Sequence, residues 1–130
     1  MALNEALQSP NLKAVRFESD VAEGQAVKLG AGSKSVTAAT APTDIVVGFA
    51  AYDSYKNGDS GQIFTLFDEA IAVAGAAIRK GVYVSIGASG KLVPVGANPG
   101  ETSVVGIAME AATGADQLIK ILPLRFVHPA

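Results

Sequence analysis

The chain has 130 residues and a mass of 13.2 kDa, enough for one domain with a real core and too little for an elaborate multi-domain enzyme. Hydrophobic residues make up 49% and charged residues only 17%, below the roughly 25% usual for a soluble domain, so part of the surface is expected to be covered by protein. A net charge of −2 with scattered Lys and Arg excludes the basic footprint of a nucleic-acid binder, and the lack of cysteine excludes disulfides, thiolate metal sites and cysteine nucleophiles.

At the N-terminus, "MALNEALQSPNLK" has no basic start followed by an apolar run, so no secretory signal is read and synthesis in the cytoplasm is expected. Residues 1–13 carry Leu3, Leu7 and Leu12 around a proline break; a frayed terminus and an arm that orders on a neighbour fit this segment equally well. From Ala14 onward the dominant pattern is alternation with period two, punctuated by Gly, Pro, Asn and Asp, which predicts strands. "AVRFE", "QAVKL", "DIVVGFAAY", "GQIFTLF", "VYVSI", "KLVPV", "SVVGIAM" and "QLIKIL" follow in order, separated by turn clusters such as "KNGDSG" and "GANPGE". Between them "AIAVAGAAI" is the most apolar stretch, half the ~18 residues that a bilayer span needs, so membrane insertion is not expected. Short helical turns fit only "NEALQ" and "GAAIRKG", where Gly81 suits a left-handed stop. In the tail, "LPLRFVHPA", Leu124, Phe126 and Val127 fall beyond the last expected strand, with Phe126 expected to cap the barrel. The fold class is all-β, a small barrel of many short strands. Its organisation reads as an arm (1–13), one β domain (14–122) and a tail (123–130).

The chain repeats itself. Gly24, Val27, Gly30, Ala31, Lys34, Val36 and Pro42 recur 57 positions later as Gly81, Val84, Gly87, Ala88, Lys91, Val93 and Pro99, and "VVGFA" at Val46 recurs as "VVGIA" at Val104. Two copies of so long a period, about 24–50 and 81–108, make a duplicated supersecondary unit, and two units can close one barrel about a pseudo-twofold axis. The glycines Gly24, Gly30, Gly81 and Gly87 are read as tight-turn positions. Neither glycine-rich copy has the G-x-x-x-x-G-K-[ST] order between strand and helix that cradles phosphate, and both run into strand pattern, so nucleotide binding is not expected.

Catalytic machinery is missing from the pattern. The only histidine, His128, lies near the C-terminus, no triad can be assembled, and Asp68 and Glu69 would face opposite ways on a strand. Asp53, Asp59 and Asp116 sit beside turn residues without calcium-loop spacing. No enzyme activity, cofactor or metal is expected.

The order of elements, "VKLG" in the first glycine unit, a proline-bearing loop, "VVGFA", "QIFTLF", then "GAAIRKGVYVS", "GKLVPV" and "VVGIAMEAATGADQLIKILP", resembles tailed-phage capsid decoration (cement) proteins over about Phe17 to Leu122. The resemblance implies a small β-barrel structural protein on the outer surface of an expanded icosahedral head. It also implies a homotrimer that clamps neighbouring major capsid protein subunits, with no catalytic residues. It favours the arm reading of residues 1–13 and makes Leu3, Leu7, Leu12 and Arg16 the candidate capsid or protomer contacts. Direct nucleic-acid and membrane partners are not expected. Two rivals remain: a glycan-binding or head-fibre-base module, for which the only tyrosines, Tyr52, Tyr55 and Tyr83, offer a weak aromatic platform centred on Tyr52 and Tyr55 around a loop, and a small enzyme gathering Asp53, Lys56 and Asp59.

Overall fold

A computed structural model of the chain describes residues 12–66, 69–95 and 102–128. All regular structure among the described residues is strand, as alternation and turn chemistry require. The segment "GAAIRKG", expected to allow a helical turn, instead bends at Gly75–Ala76 and turns at Lys80–Gly81, and between them Ile78 bridges Ala112 in antiparallel fashion. Its small residues carry too little helical side-chain packing to compete with that pairing.

The first half supplies β1 (Leu12–Phe17), β2 (Ala26–Leu29), β3 (Ser35–Ala38), β4 (Gly48–Ala50) and β5 (Ser60–Thr65), which close a barrel in the order β1-β3-β2-β4-β5. Only the β1–β3 pair is parallel. The second half supplies β6 (Ala70–Val73), β7 (Tyr83–Ile86), β8 (Leu92–Pro94), β9 (Thr102–Ala108) and β10 (Leu118–His128), in a sheet ordered β6-β10-β9-β7-β8. Residues 123–128, read from the sequence as a tail, continue β10 along β9 past an irregularity between Pro123 and Phe126.

The duplication extends through both sheets, and the two units do not share one barrel. β6 to β10 repeat β1 to β5, and the second sheet runs in the same cyclic order as the first. Its one weak seam is β6 to β8, where a single parallel bridge, Ala74 to Leu92, stands for the Phe17–Val36 pairing of the closed barrel. Matching hydrogen bonds fix the correspondence. Gly24 N–H donates to Ala50 O and Gly81 N–H to Ala108 O; Val21 bridges Tyr55 as Ile78 bridges Ala112. One register differs from the sequence alignment. Leu29 pairs with Val36 and Ile86 with Leu92, so Val36 corresponds to Leu92 and not to Val93. The second hairpin is one residue shorter, and the left-handed residue at its tip is Gly90 (φ 74°) where the first has Lys34 (φ 57°).

Alternation gives every barrel strand two jobs. Val15, Phe17, Val27, Val36, Ala50 and Ile63 fill the first barrel. Their neighbours Ala26, Phe49 and Phe64 point outward and join the core of the second unit, which includes Ala72, Val84, Ile86, Leu92, Ala108 and Ile121. One buried cluster therefore spans both units. Inside the first barrel Phe17 stacks on Tyr55 with ring centroids 4.3 Å apart, and Ala74 and Ala112 occupy the matching places in the second.

Candidate contact surfaces

The glycine loop that raised the phosphate question holds an anion from its own chain. The Ala31 and Gly32 amides donate to the two carboxylate oxygens of Glu18 at 2.8 and 2.7 Å. Those amide hydrogen bonds hold the Glu18 carboxyl below the usual carboxylate range, with Ser35 and Arg16 contributing. A side chain on Gly30 would meet the same carboxylate and displace it, so the bare glycine leaves room for Glu18 to lie on these amides. Positive φ falls on Gly24 and Gly81 among the four expected tight-turn glycines, and not on Gly30 or Gly87. Asp44 is held in a similar way. Burial pushes its carboxyl up, but the Thr40 and Ala41 amides and Lys28 outweigh this and leave it below its ordinary value.

No convergent polar site forms where an enzyme reading would need one. Asp53 accepts from the Ser54 amide and Asp59 from the Lys56 amide within their own loop, while Asp20 accepts from the distant Asn57 amide and ties that loop to the first half of the barrel. The open groove beside them is lined by Asp20, Gln25, Ser54, Tyr55 and Lys56 and gathers neither Asp53 nor Asp59. Among the described residues no group of three His, Cys, Asp or Glu side chains could hold a metal ion. No helix of the described residues is long and apolar enough to cross a membrane. The two tyrosines of the glycan rival separate: Tyr55 is stacked on Phe17 and donates its hydroxyl to Ala51 O at 2.7 Å, while Tyr52 stands exposed against the edge of Phe64. Of that pair only Tyr52 presents its ring to solvent.

The remaining surface is apolar in places that the repeat explains. At one end of the first barrel β1, β2, β3, β5 and Val47, which leads into β4, border a cavity of about 190 Å³ walled by Val15, Leu29, Val36, Val47 and Ile63, with Lys13 and Lys34 at its edge. On the outer face of the second sheet, Tyr83 pairs with Ile107 and Ile107 with Leu122, and Tyr83 and Leu122 are 42% and 43% exposed. Sequence reasoning missed both surfaces, because each needs the sheet register to bring distant residues together.

Of the expected contact residues, Leu3 and Leu7 lie outside the described residues. Leu12 is part of β1, paired with Phe64 and partly buried against the shared core. Arg16 is exposed on β1 between Ser35 and Ser60.

A family model described as phage cement protein matches residues 8–123, taking in both repeat units. The chain belongs to the phage cement protein family. This cement protein is therefore a phage capsid-associated structural protein, as the resemblance read from its glycine units implied. No curated protein matches it. Among solved structures it is similar to the head fibre gp8.5 N base of bacteriophage phi29, with a TM-score of 0.63 and 23% identity over 90% of this chain and 98% of that one. At that identity the likeness is one of fold.

Proposed function

We propose that this cement protein binds the exterior of an expanded icosahedral phage head and stabilises it by clamping neighbouring major capsid subunits, acting as a homotrimer without catalysis. The observation that carries the reading is the family match across both repeat units. The surface chemistry is compatible with it: the carboxylates near the groove hold backbone amides of turns, and large apolar side chains such as Leu29, Ile45, Tyr83 and Leu122 are exposed among the charged ones. Clamping needs no reaction. A protein repeated at many symmetry-related sites turns modest affinity per contact into large collective stabilisation, and an oligomer that engages several subunits gains further from effective concentration.

The arm expected over residues 1–13 is shortened by β1, which takes Leu12 and Lys13, and in this reading residues 1–11, with Leu3 and Leu7, order on the capsid, the ordering entropy offset by the groove or strand edge they meet. The test is co-sedimentation with undecorated heads. The full chain is expected to pellet with expanded heads and not with unexpanded procapsids, and a chain lacking residues 1–11 to stay folded but bind more weakly. Leu12 must be kept, since it pairs with Phe64. Full binding by the truncated chain would remove the arm, and no binding by the full chain would remove the clamp.

A second reading, as the base of a head fibre, draws on the similarity in fold to the phi29 head fibre base. Immuno-electron microscopy of virions separates the two: label spread over the capsid faces belongs to a cement role, and label confined to fibre roots belongs to a base.

A further inference from the structure

The two repeat units are not equally covered. In the first unit the outward row Ala39, Ala26, Phe49 and Phe64 is fully buried in the cluster shared with the second unit. Its members are neighbours in register: Ala39 N–H donates to Ala26 O, Ala26 pairs with Phe49, and Phe49 with Phe64. The same bonds in the second unit define the equivalent row. Val95 N–H donates to Tyr83 O, Tyr83 pairs with Ile107, and Ile107 with Leu122. This second row is as apolar as the first, yet it faces outward with Tyr83 and Leu122 exposed.

What the first row covers is the end of the second unit's sheet. Ala70, Ala72, Ile86, Leu92 and Ile121 lie in the same buried cluster, and the Gly90 turn closes over the row, with Gly90 O accepting from Ala26 N–H and Ser89 O from Gln25. The corresponding end of the first barrel is the 190 Å³ apolar cavity, where Leu29 is 72% exposed although its counterpart Ile86 is 0% exposed. The glycine turns agree. A side chain on Gly24 would strike Leu118 and the Ala72–Val73 backbone of the second unit, whereas at Gly81 nothing lies within 4 Å.

We infer that the Val95–Tyr83–Ile107–Leu122 row is an interface for a second copy of this chain, seated on the open mouth of that copy's first barrel. The contact between copies then repeats the contact between units within a chain. It is head-to-tail, with row on mouth, and closes into a ring when the last mouth receives the first row. The apolar row removes from water both itself and the walls around Leu29, the same gain that gathers Phe49 and Ile86 into one buried cluster inside a chain. This deepens the proposed function by naming the self-association surface, and it rests on that reading only for the existence of an oligomer.

The test is the solution mass by light scattering of the full chain and of the double variant Tyr83→Glu/Leu122→Glu, whose changes lie on the exposed face. The full chain is expected to be a small multiple of 13.2 kDa and the variant a folded monomer with an unchanged β circular dichroism spectrum. A second variant checks direction without burying a charge. Gln25 and Ser89, which touch within one chain, correspond to Val82 and Ser33, so Val82→Cys/Ser33→Cys in this cysteine-free protein is expected to give oxidised ladders that neither single variant gives. A monomeric full chain, an unchanged mass in the glutamate variant, or no ladder from the cysteine pair would each overturn the inference. Head co-sedimentation keeps the two readings apart: an oligomer that ignores heads leaves this interface standing and removes the clamp, and a monomer that binds heads does the reverse.

Discussion

Leu29 and Ile86 occupy the same place in the two units, each preceding a glycine and each paired with the residue that lines its barrel, yet the first is 72% exposed and the second 0%. The difference is not one of local structure. Ile86 lies in the buried cluster to which the outward row of the first unit, with Phe49, also belongs, and Leu29 lies in neither buried cluster. The chain thus shows both a satisfied and an open version of one contact.

Gly24 and Gly81 should respond differently to the same substitution. Both have positive φ, 79° and 88°, so an alanine at either is strained by about 1–2 kcal/mol. At Gly24 the added methyl also meets Leu118 and the backbone of β6, so Gly24→Ala is expected to cost on the order of 3 kcal/mol or more. Urea unfolding of the two variants measures this, and equal midpoints would contradict the packing of the Gly24 turn against β6.

Phe49→Ala should destabilise the whole molecule by about 3–5 kcal/mol, since the ring is fully buried in the cluster that spans both units. The unfolding transition is expected to shift as one step. Two separated transitions in the variant would mean that the units are held together by something other than this row.

Glu18 gives the protein an acid-sensitive element. Its carboxyl is held below the usual range by the Ala31 and Gly32 amides, so the folded protein binds that proton less tightly than the unfolded chain does. The contribution is therefore full at neutral pH, above the unfolded value, and is lost as pH falls through the lowered folded value. Glu18→Gln is expected to lower the melting temperature at pH 7 and to show a smaller decline on acidification. A parallel decline in both proteins would place the acid sensitivity elsewhere, with Asp44 the next candidate.

The sequence by itself determined the all-β class, the duplication, the turns at Gly24 and Gly81 and the family, because alternation, left-handed glycines and a repeated order of elements are local signals. It hid β6, since "AIAV" alternates between small apolar residues and becomes a strand only by pairing with β10. The 57-residue shift also misaligned β8 by one position, because Lys34 and Lys91 match as letters while the shorter second hairpin puts Gly90 at the left-handed tip. Residues 123–128 looked like a tail because Pro123 interrupts the pattern, yet pairing with β9 carries the strand across it. Only the tertiary structure decided which unit closes, which apolar row is buried and which barrel end stays open. Ala26, Phe49 and Phe64 carry the same kind of signal as Tyr83, Ile107 and Leu122, and burial depends on which sheet lies opposite. That is a property of packing between units, and no spacing along one strand encodes it.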